Sequence, residues 1–122
     1  GALTRTQADV ESMRNDSQNK NSEVKDIYMF AIAFSHLDSV VYTTAVQKME
    51  NEVVNNGYFL ENRSKYESLL LDYMYRMGET NRMAVLYFDE KEKKVVKKKQ
   101  KVLKRIKKHH SYSVGELLDF SF

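Results

Sequence analysis

A chain of 122 residues with 42% hydrophobic and 30% charged side chains has the composition of one globular domain, which excludes a disordered or fibrous protein. It has no cysteine, which excludes disulfides, thiolate catalysis and thiolate metal sites. The formal net charge of +3 is unevenly placed: residues 1–90 carry nine basic and fourteen acidic side chains (−5), and residues 91–122 carry eleven and three (+8). This asymmetry predicts an acidic partner for the C-terminal third.

The longest apolar stretch, Ile27 to Phe34, is too short to span a bilayer, and no signal-peptide pattern precedes it. The absence of cysteine suits a reducing compartment. We therefore expect a cytoplasmic, intracellular protein with no membrane partner.

Two helices are predicted in the first third of the chain. Residues 1–21 read as a polar, partly flexible segment, in which a weakly apolar helix from Leu3 to Asn15 is followed by loop-forming Asn, Asp and Ser residues. Asn21 or Ser22 can cap a second helix. From Ile27 to Leu37 this second helix is apolar on nearly every side, which predicts that it lies at the centre of the domain.

The region from Val40 to Gly57 is predicted to hold a third helix. Residues Val40 to Thr44 are rich in β-branched side chains, so a short strand is the alternative there. Ala45, Met49 and Val53 recur at i, i+4 and i+8, which favours a helix that ends at Gly57.

A fourth helix is predicted from Ser64 to Gly78. Ser64 and Glu67 have the S-x-x-E form of a capping box, and apolar residues follow at helical spacing. Gly78 supplies the residue with positive φ that commonly follows a helix.

The apolar run Met83 to Phe88 fits either a buried strand followed by a turn at Asp89 or the start of a long helix to Lys108. At 100° per residue, apolar positions from this run and from the basic region fall within one arc of about 120°. Every Lys and Arg from 91 to 108 except Lys99 lies outside that arc. The arrangement favours the long helix, with a strand at 83–88 as the alternative.

A second S-x-x-E pattern, at Ser113 and Glu116, predicts a short C-terminal docking helix. Together these elements predict an all-α fold: one domain, residues 1–122, built as a bundle of about five helices. A long basic helix at residues 91–110 is expected to lie along one side.

The basic region is the most informative functional feature. Residues 91–110 read KEKKVVKKKQKVLKRIKKHH, in which eleven of twenty positions are Lys or Arg and one is acidic. A lysine-rich helix with one apolar stripe can hold a phosphate backbone, because each contact releases counterions. Since Arg105 is the only arginine in this stretch, backbone contact is expected rather than base readout. The predicted contact set is Lys94, Lys97, Lys98, Lys101, Lys104, Arg105, Lys107 and Lys108.

These residues predict a non-enzymatic protein that binds a DNA or RNA backbone, with DNA favoured, in a regulatory role or in a mobile element or virus. Tyr112 and Phe120, beside the basic run, could stack on the bases of a single strand, although burial in a core is their commoner role.

Two other interpretations of the basic helix remain open. Its lysines could merely solvate an exposed helix face. The near-absence of Glu–Lys pairs along this helix favours binding over that interpretation. Alternatively, the chain is a protein–protein adaptor whose basic helix docks on an acidic partner, or a homodimer that pairs through the roughly heptad-spaced Phe88, Val95, Val102 and Ile106.

No pattern indicates catalysis, a cofactor, a metal site or a small-molecule substrate. The pair His109-His110 has no carboxylate cluster at ligand spacing beside it, and a positive helix end would repel a metal ion. His36 lacks a nucleophile or an oxyanion arrangement. The chain also lacks the glycine-rich motifs that bind nucleotides.

Two segments resemble one protein family. VKDIYMFAIAFSH, Val24 to His36, is similar to the "KD-apolar-MFA" helix of small proteins associated with DNA phosphorothioation (Dnd) systems. ENRSKYESLLLDYMYRMGE falls where that family has an amphipathic helix. The resemblance covers about half the chain, and it departs in the lysine-rich helix and in the missing Tyr-Ala-Asn-like C-terminal signature. It implies DNA-related biology of mobile elements or their defence systems, and it assigns no functional residues.

Overall fold

The computed structural model describes residues 22–35, 37–109 and 112–122, in which strands and helices are mixed. The strands are β1 (Ser22–Phe34), β2 (Val40–Thr44), β3 (Gln47–Asn55), β4 (Phe59–Leu60), β5 (Met83–Asp89) and β6 (Ser113–Leu117). The helices are α1 (Arg63–Arg76) and α2 (Glu92–His109). The prediction of an all-α bundle of about five helices is therefore wrong. The predicted helix at Leu3 to Asn15 lies outside the described residues.

All six strands form one mixed sheet around the long strand β1. On one side β1 pairs antiparallel with β5 along Tyr28 to Phe34. On the other side its first half pairs antiparallel with β3 and its second half with β2. Strand β4 extends the sheet beyond β3, and β6 lies parallel to β2. Strands β5 and β6 are therefore edge strands that lie on opposite sides of β1.

The two helices cover opposite faces of the sheet. Ile27 and Met29 of β1 lie in one buried cluster with Leu70 of α1. Phe30, which points to the other face, lies in a second buried cluster with Val95 of α2. The protein thus has three layers, helix on sheet on helix.

This layering explains the wrong prediction of a central helix at Ile27 to Leu37. A strand covered on both faces is apolar at consecutive positions, and so is a fully buried helix. Residues Ile27 and Met29 to Ala33 are all buried, although their side chains alternate between the two faces. The segment for which the Dnd resemblance implied a helix is therefore mostly strand.

The predicted third helix is also wrong, and the strand alternative at Val40 to Thr44 is confirmed as β2. A bulge interrupts β3 opposite Asp26, where Asn51 has a φ of 56° and its N–H donates to Asp26 Oδ1 at 3.1 Å. Asn56 and Gly57, with φ values of 55° and 79°, form a tight turn into β4. Positive φ at both central residues is what an Asn-Gly hairpin turn requires, so Gly57 serves a turn and not a helix end.

Helix α1 confirms the prediction of a helix from Ser64 to Gly78. It begins at Arg63 with Asn62 as its N-cap, so Ser64 lies in the first turn and not at the cap. It ends before Gly78, whose φ is 86°. The Glu79 N–H donates to the Met74 carbonyl at 2.8 Å, which closes the last turn.

At Met83 to Phe88 the strand alternative is correct, because these residues form most of β5. Asp89 then turns the chain: its Oδ1 accepts a hydrogen bond from the Lys91 N–H at 3.0 Å, and α2 begins at Glu92. The predicted short helix at Ser113 is wrong, since that segment is β6. No helix in the described part of the chain is long and apolar enough to cross a membrane.

Candidate nucleic-acid interface

Helix α2 packs on the sheet through a narrow apolar stripe. Val95 is 1% exposed and lies in the second buried cluster, and Val102 and Ile106 pack against that cluster two and three helical turns later. Val96, which the sequence placed within the inner arc, is 38% exposed, so the buried stripe is narrower than predicted. More than half of the helix circumference therefore faces solvent.

We call the predicted contact set the basic ridge. Every member of it is exposed in the structure. Within the described part of the chain, no carboxylate forms an ion pair with any member, whereas pairs at other lysines and arginines are frequent. The members are Lys94, Lys97, Lys98, Lys101, Lys104, Arg105, Lys107 and Lys108. The ridge is therefore a continuous positive surface whose charge the described residues do not neutralise.

Lys99 differs from its neighbours, as its place within the apolar arc implied. Its side chain is 17% exposed and lies toward the sheet. The Nζ atom donates to the Thr44 carbonyl at 2.9 Å and lies 3.3 Å from Glu116 Oε1. Lys99 thus ties α2 to β2 and β6 and does not belong to the ridge.

The ridge runs along the helix axis for a length suited to a polymer. Lys94 and Lys108 are fourteen residues apart, which corresponds to about 21 Å at 1.5 Å per residue. Near the C-terminal end of α2, a shallow depression is lined entirely by cations: Lys101, Lys104, Arg105 and Lys108. A phosphate placed there could be contacted by several cations at once.

The aromatic residues that the sequence placed beside the basic run do not extend the ridge. Phe120 is 7% exposed and lies edge-on to Tyr73 and Phe122, with ring centroids 5.0 and 4.9 Å away. Tyr112 is half-buried against the second cluster. Phe120 is therefore too buried for base stacking, and Tyr112 is only partly accessible.

A cleft of about 300 Å³ lies next to the ridge at the end of β5. Its charged lining residues are Lys25, Arg63, Asp89, Glu90 and Lys98. Lys25 forms ion pairs with Glu23 at 3.2 Å and Glu90 at 3.3 Å, and the hydrogen bond with Glu23 raises the pKa of Lys25. Arg63 donates to the Leu86 carbonyl at 2.9 Å. Because these two cations already have partners in the protein, the cleft is a weaker anion site than the ridge.

Sequence reasoning missed the buried carboxylate of Glu52 and its hydrogen-bond partners. Glu52 is 5% exposed on β3 and accepts hydrogen bonds from the Tyr66 hydroxyl and, at 3.4 Å, from Asn62 Nδ2. Burial, followed by the hydrogen bond to Glu52, raises the pKa of Tyr66 to about 12. The network joins β3 to the start of α1, and both Glu52 and Tyr66 are buried. We assign it a structural role.

Among the described residues, no group of three or more His, Asp or Glu side chains is placed to hold a metal ion. Comparisons with protein-family models, curated proteins and solved structures find no match to this chain. We therefore infer the function of this protein from the chemistry of the ridge.

Proposed function

We propose that this protein binds nucleic acid through phosphate contacts made by the basic ridge on α2, and that it does so without catalysis. The observation that carries the proposal is the set of eight exposed cations on one helix, none of which forms an ion pair with a described carboxylate. An unpaired cation is free to replace a counterion on a phosphate backbone, and the released ion provides the favourable entropy of binding.

The composition of the ridge supports backbone contact over sequence readout. Seven of its eight members are lysines, which act as point charges, and one is Arg105. Bidentate pairs with base edges, the main source of direct readout, need arginine or amide side chains. Gln100 is the one amide in α2. The proposed binding is therefore only weakly dependent on sequence.

The distribution of charge also supports the proposal. Residues 1–90 have a net charge of −5, and residues 91–122 have +8. A polyanion that approaches this molecule is attracted to the α2 side and repelled from the rest, so the encounter is oriented before contact is made. DNA is the favoured ligand in a regulatory, viral or mobile-element setting.

Fluorescence anisotropy with a labelled 20-base-pair duplex tests the proposal. The variant carrying Lys97→Gln and Lys101→Gln removes two ridge charges and should weaken binding at least about threefold in low salt. The matched control carries Lys65→Gln and Arg76→Gln, which remove two exposed charges from α1 on the opposite face, and should bind like the wild type. Absence of wild-type binding in low salt to this duplex, to its separated strands and to RNA of the same sequence, or equal losses in the two variants, would reject the proposal.

A second candidate function is a protein–protein adaptor, and it is favoured by the partly exposed apolar residues beside the ridge. Val96 is 38% exposed, and Leu103 is half-buried two helical turns further along. Apolar residues flanked by lysines suit an acidic partner helix or a second copy of this chain. Light scattering detects the homodimer directly, and wild-type protein that fails to bind DNA would favour the adaptor.

A further inference from the structure

The basic ridge alone does not distinguish a single strand from a duplex. At 100° per residue its members are spread over about 180° of the helix surface, most of them in steps of about 20°. The phosphates of one strand or of two can therefore reach them. Lys98 lies at the border of this arc toward β5, where its Nζ is 5.9 Å from the centre of the Tyr87 ring. Selectivity between the two ligands therefore has to come from the surface beside the ridge.

The cleft at the end of β5 meets the ridge at this border, because Lys98 also lines the cleft. It lies where β1 continues beyond its neighbour. Strand β5 ends at Asp89, opposite Tyr28, and the described strands flank residues 22–27 of β1 on the β3 side only. The result is a notch beside the sheet of about 300 Å³, which is at the lower limit of ligand sites and suits one ring system rather than a run of bases.

Three aromatic rings line this cleft: Tyr58, Tyr87 and Phe88. Tyr87 and Phe88 pack against the two buried clusters, and Tyr87 stacks on Phe30 with ring centroids 5.0 Å apart. Tyr58 is instead 65% exposed. It follows the Asn-Gly hairpin turn, and its N–H donates to the Asn55 carbonyl at 3.2 Å, which holds its backbone in place. Tyr58 therefore presents an accessible ring at a defined position, as base stacking requires.

The charges in the cleft suit a neutral base better than a phosphate. Lys25 and Arg63 already have partners within the protein, and Asp89 and Glu90 place two carboxylates on the lining. Carboxylates repel a phosphate but accept hydrogen bonds from the amino groups of a base. The ridge has the opposite character, since its cations have no described carboxylate partner. Phosphates and a base of one strand thus have separate places that meet at Lys98.

We propose that the ridge and the cleft together bind single-stranded nucleic acid, with phosphates on the ridge and one unpaired base in the cleft, stacked on Tyr58. This inference rests on the proposed function and names its substrate class. A base in a duplex is already paired and stacked, so it enters the cleft only after it has been flipped out, whereas a base in a single strand is free to enter. A duplex therefore gains the ridge contacts alone, and a single strand gains the stacking contact as well.

Fluorescence anisotropy tests the role of Tyr58 with two labelled probes: a single-stranded DNA of about 20 nucleotides and the duplex formed from it. Tyr58→Ala should weaken binding of the single strand at least about fivefold, the lower limit for loss of one stacked base, and should change duplex binding less than about twofold. Tyr58→Phe keeps the ring and should bind both probes like the wild type. The matched control is Tyr75→Ala, which removes a ring that is 69% exposed on α1 and does not line the cleft, and it should leave both affinities unchanged.

The outcomes separate this inference from the proposed function. Equal effects of Tyr58→Ala on the two probes, or no effect on either, would overturn the inference and leave the proposed function standing. The Lys97→Gln, Lys101→Gln protein should bind both probes more weakly, because the ridge serves both. Absence of wild-type binding to both probes and to RNA of the same sequence would reject the proposed function itself. Thermal unfolding of the tyrosine variants should match that of the wild type, since both side chains are exposed.

Photocrosslinking locates the base without any substitution in the protein. A single strand that carries iodouracil is irradiated in complex with the wild-type protein, and the crosslinked peptides are identified by mass spectrometry. Crosslinks should fall on the peptide that contains Tyr58 or on the one that contains Tyr87 and Phe88. Crosslinks confined to peptides of α2 would contradict a base in the cleft.

Discussion

The Nζ atom of Lys99 lies 3.3 Å from Glu116 Oε1 and donates to the Thr44 carbonyl at 2.9 Å. Among the eleven cations in residues 91–122, Lys99 is the one that forms an ion pair with a described residue. Its neighbours on α2 are exposed, which divides the lysines of this helix into one that holds the fold and others available to a ligand.

Replacing Lys99 by Met should lower the free energy of unfolding by about 1 kcal/mol, because it removes a charged hydrogen bond and a partly buried ion pair while keeping the apolar stem. Lys101→Met is the matched control, since Lys101 is exposed, and its effect should be within about 0.5 kcal/mol of zero. Urea unfolding followed by circular dichroism measures both. Equal stability of the two variants would show that Lys99 has no structural role.

Arg82 should be the most costly charged residue to remove. Its side chain is 1% exposed, and its Nη2 lies 2.7 Å from Asp38 Oδ2 and 2.9 Å from Glu79 Oε1. Its Nη1 donates to the Val40 carbonyl at 2.8 Å. Arg82→Met leaves these acceptors without a partner, and because both carboxylates are partly solvated we expect a loss of about 2–3 kcal/mol.

Urea unfolding measures the loss, and Arg82→Lys is the control for Arg82→Met. It keeps the charge but not the forked geometry, so it should lose less, about 1–2 kcal/mol. If the Met variant were as stable as the wild type, the guanidinium would not hold the loop before β2 against the loop before β5.

The raised pKa of Tyr66 predicts that the folded protein loses stability at alkaline pH. The pKa of Tyr66 is raised from 10.0 to about 12, so its contribution to stability is fully present below pH 10 and is lost as the pH rises through 12. A change of that size corresponds to roughly 2–3 kcal/mol. Tyr66→Phe should be less stable than the wild type at pH 7, because Glu52 loses a hydrogen bond, and should lose less stability between pH 10 and 12. Parallel pH profiles of the two proteins would contradict this assignment.

Gly115 should tolerate alanine poorly, although alanine normally stabilises a strand relative to glycine. A Cβ atom at Gly115 would lie 2.9 Å from Cδ1 and 3.0 Å from Cε1 of the Tyr42 ring on the neighbouring strand. The ring also packs against the first buried cluster, and the guanidinium carbon of Arg82 is 4.8 Å from its centre. We expect Gly115→Ala to cost about 1–2 kcal/mol in thermal unfolding.

Tyr42→Ala supplies the control, because in that background the alanine at 115 meets no ring and its cost should disappear. If Gly115→Ala lowered stability equally in the wild-type and Tyr42→Ala backgrounds, its effect would not come from contact with the Tyr42 ring.

The sequence predicted the elements that are apolar on one side. Helix α1 and most of helix α2 each have one buried and one exposed face, so their repeat is visible in the sequence. Strands β1 and β5 are covered on both faces, and for such segments the alternation of apolar and polar residues that identifies a strand is absent.

Strand β3 misled for a different reason. Met49 packs against the buried cluster that contains Val54, although their positions differ by five and would lie on opposite faces of a regular strand. The bulge at Asn51 changes the register between them. Gly57 was predicted to end a helix because a residue with positive φ commonly follows one. A hairpin turn also needs positive φ, and that is the role of Gly57 here. Residue type alone does not distinguish these two uses.

The candidate site was more predictable than the fold. The ridge residues lie on consecutive turns of one helix. The repeat of 3.6 residues per turn is therefore enough to place Lys99 on the inner face and the ridge residues on the outer face. The partners of the structural cations were not predictable, because Lys99 and Glu116, or Arg82 and Asp38, meet only through the pairing of distant strands. Local patterns carry no information on such contacts.

The salt dependence of duplex DNA binding tests the central claim most directly. The logarithm of the association constant should fall linearly with the logarithm of the salt concentration, with a slope of about −0.9 for each phosphate neutralised. The Lys97→Gln, Lys101→Gln protein should show a slope that is shallower by about one to two, and the Lys65→Gln, Arg76→Gln protein should keep the wild-type slope. A wild-type slope near zero, or one that the ridge substitutions leave unchanged, would contradict phosphate binding by α2.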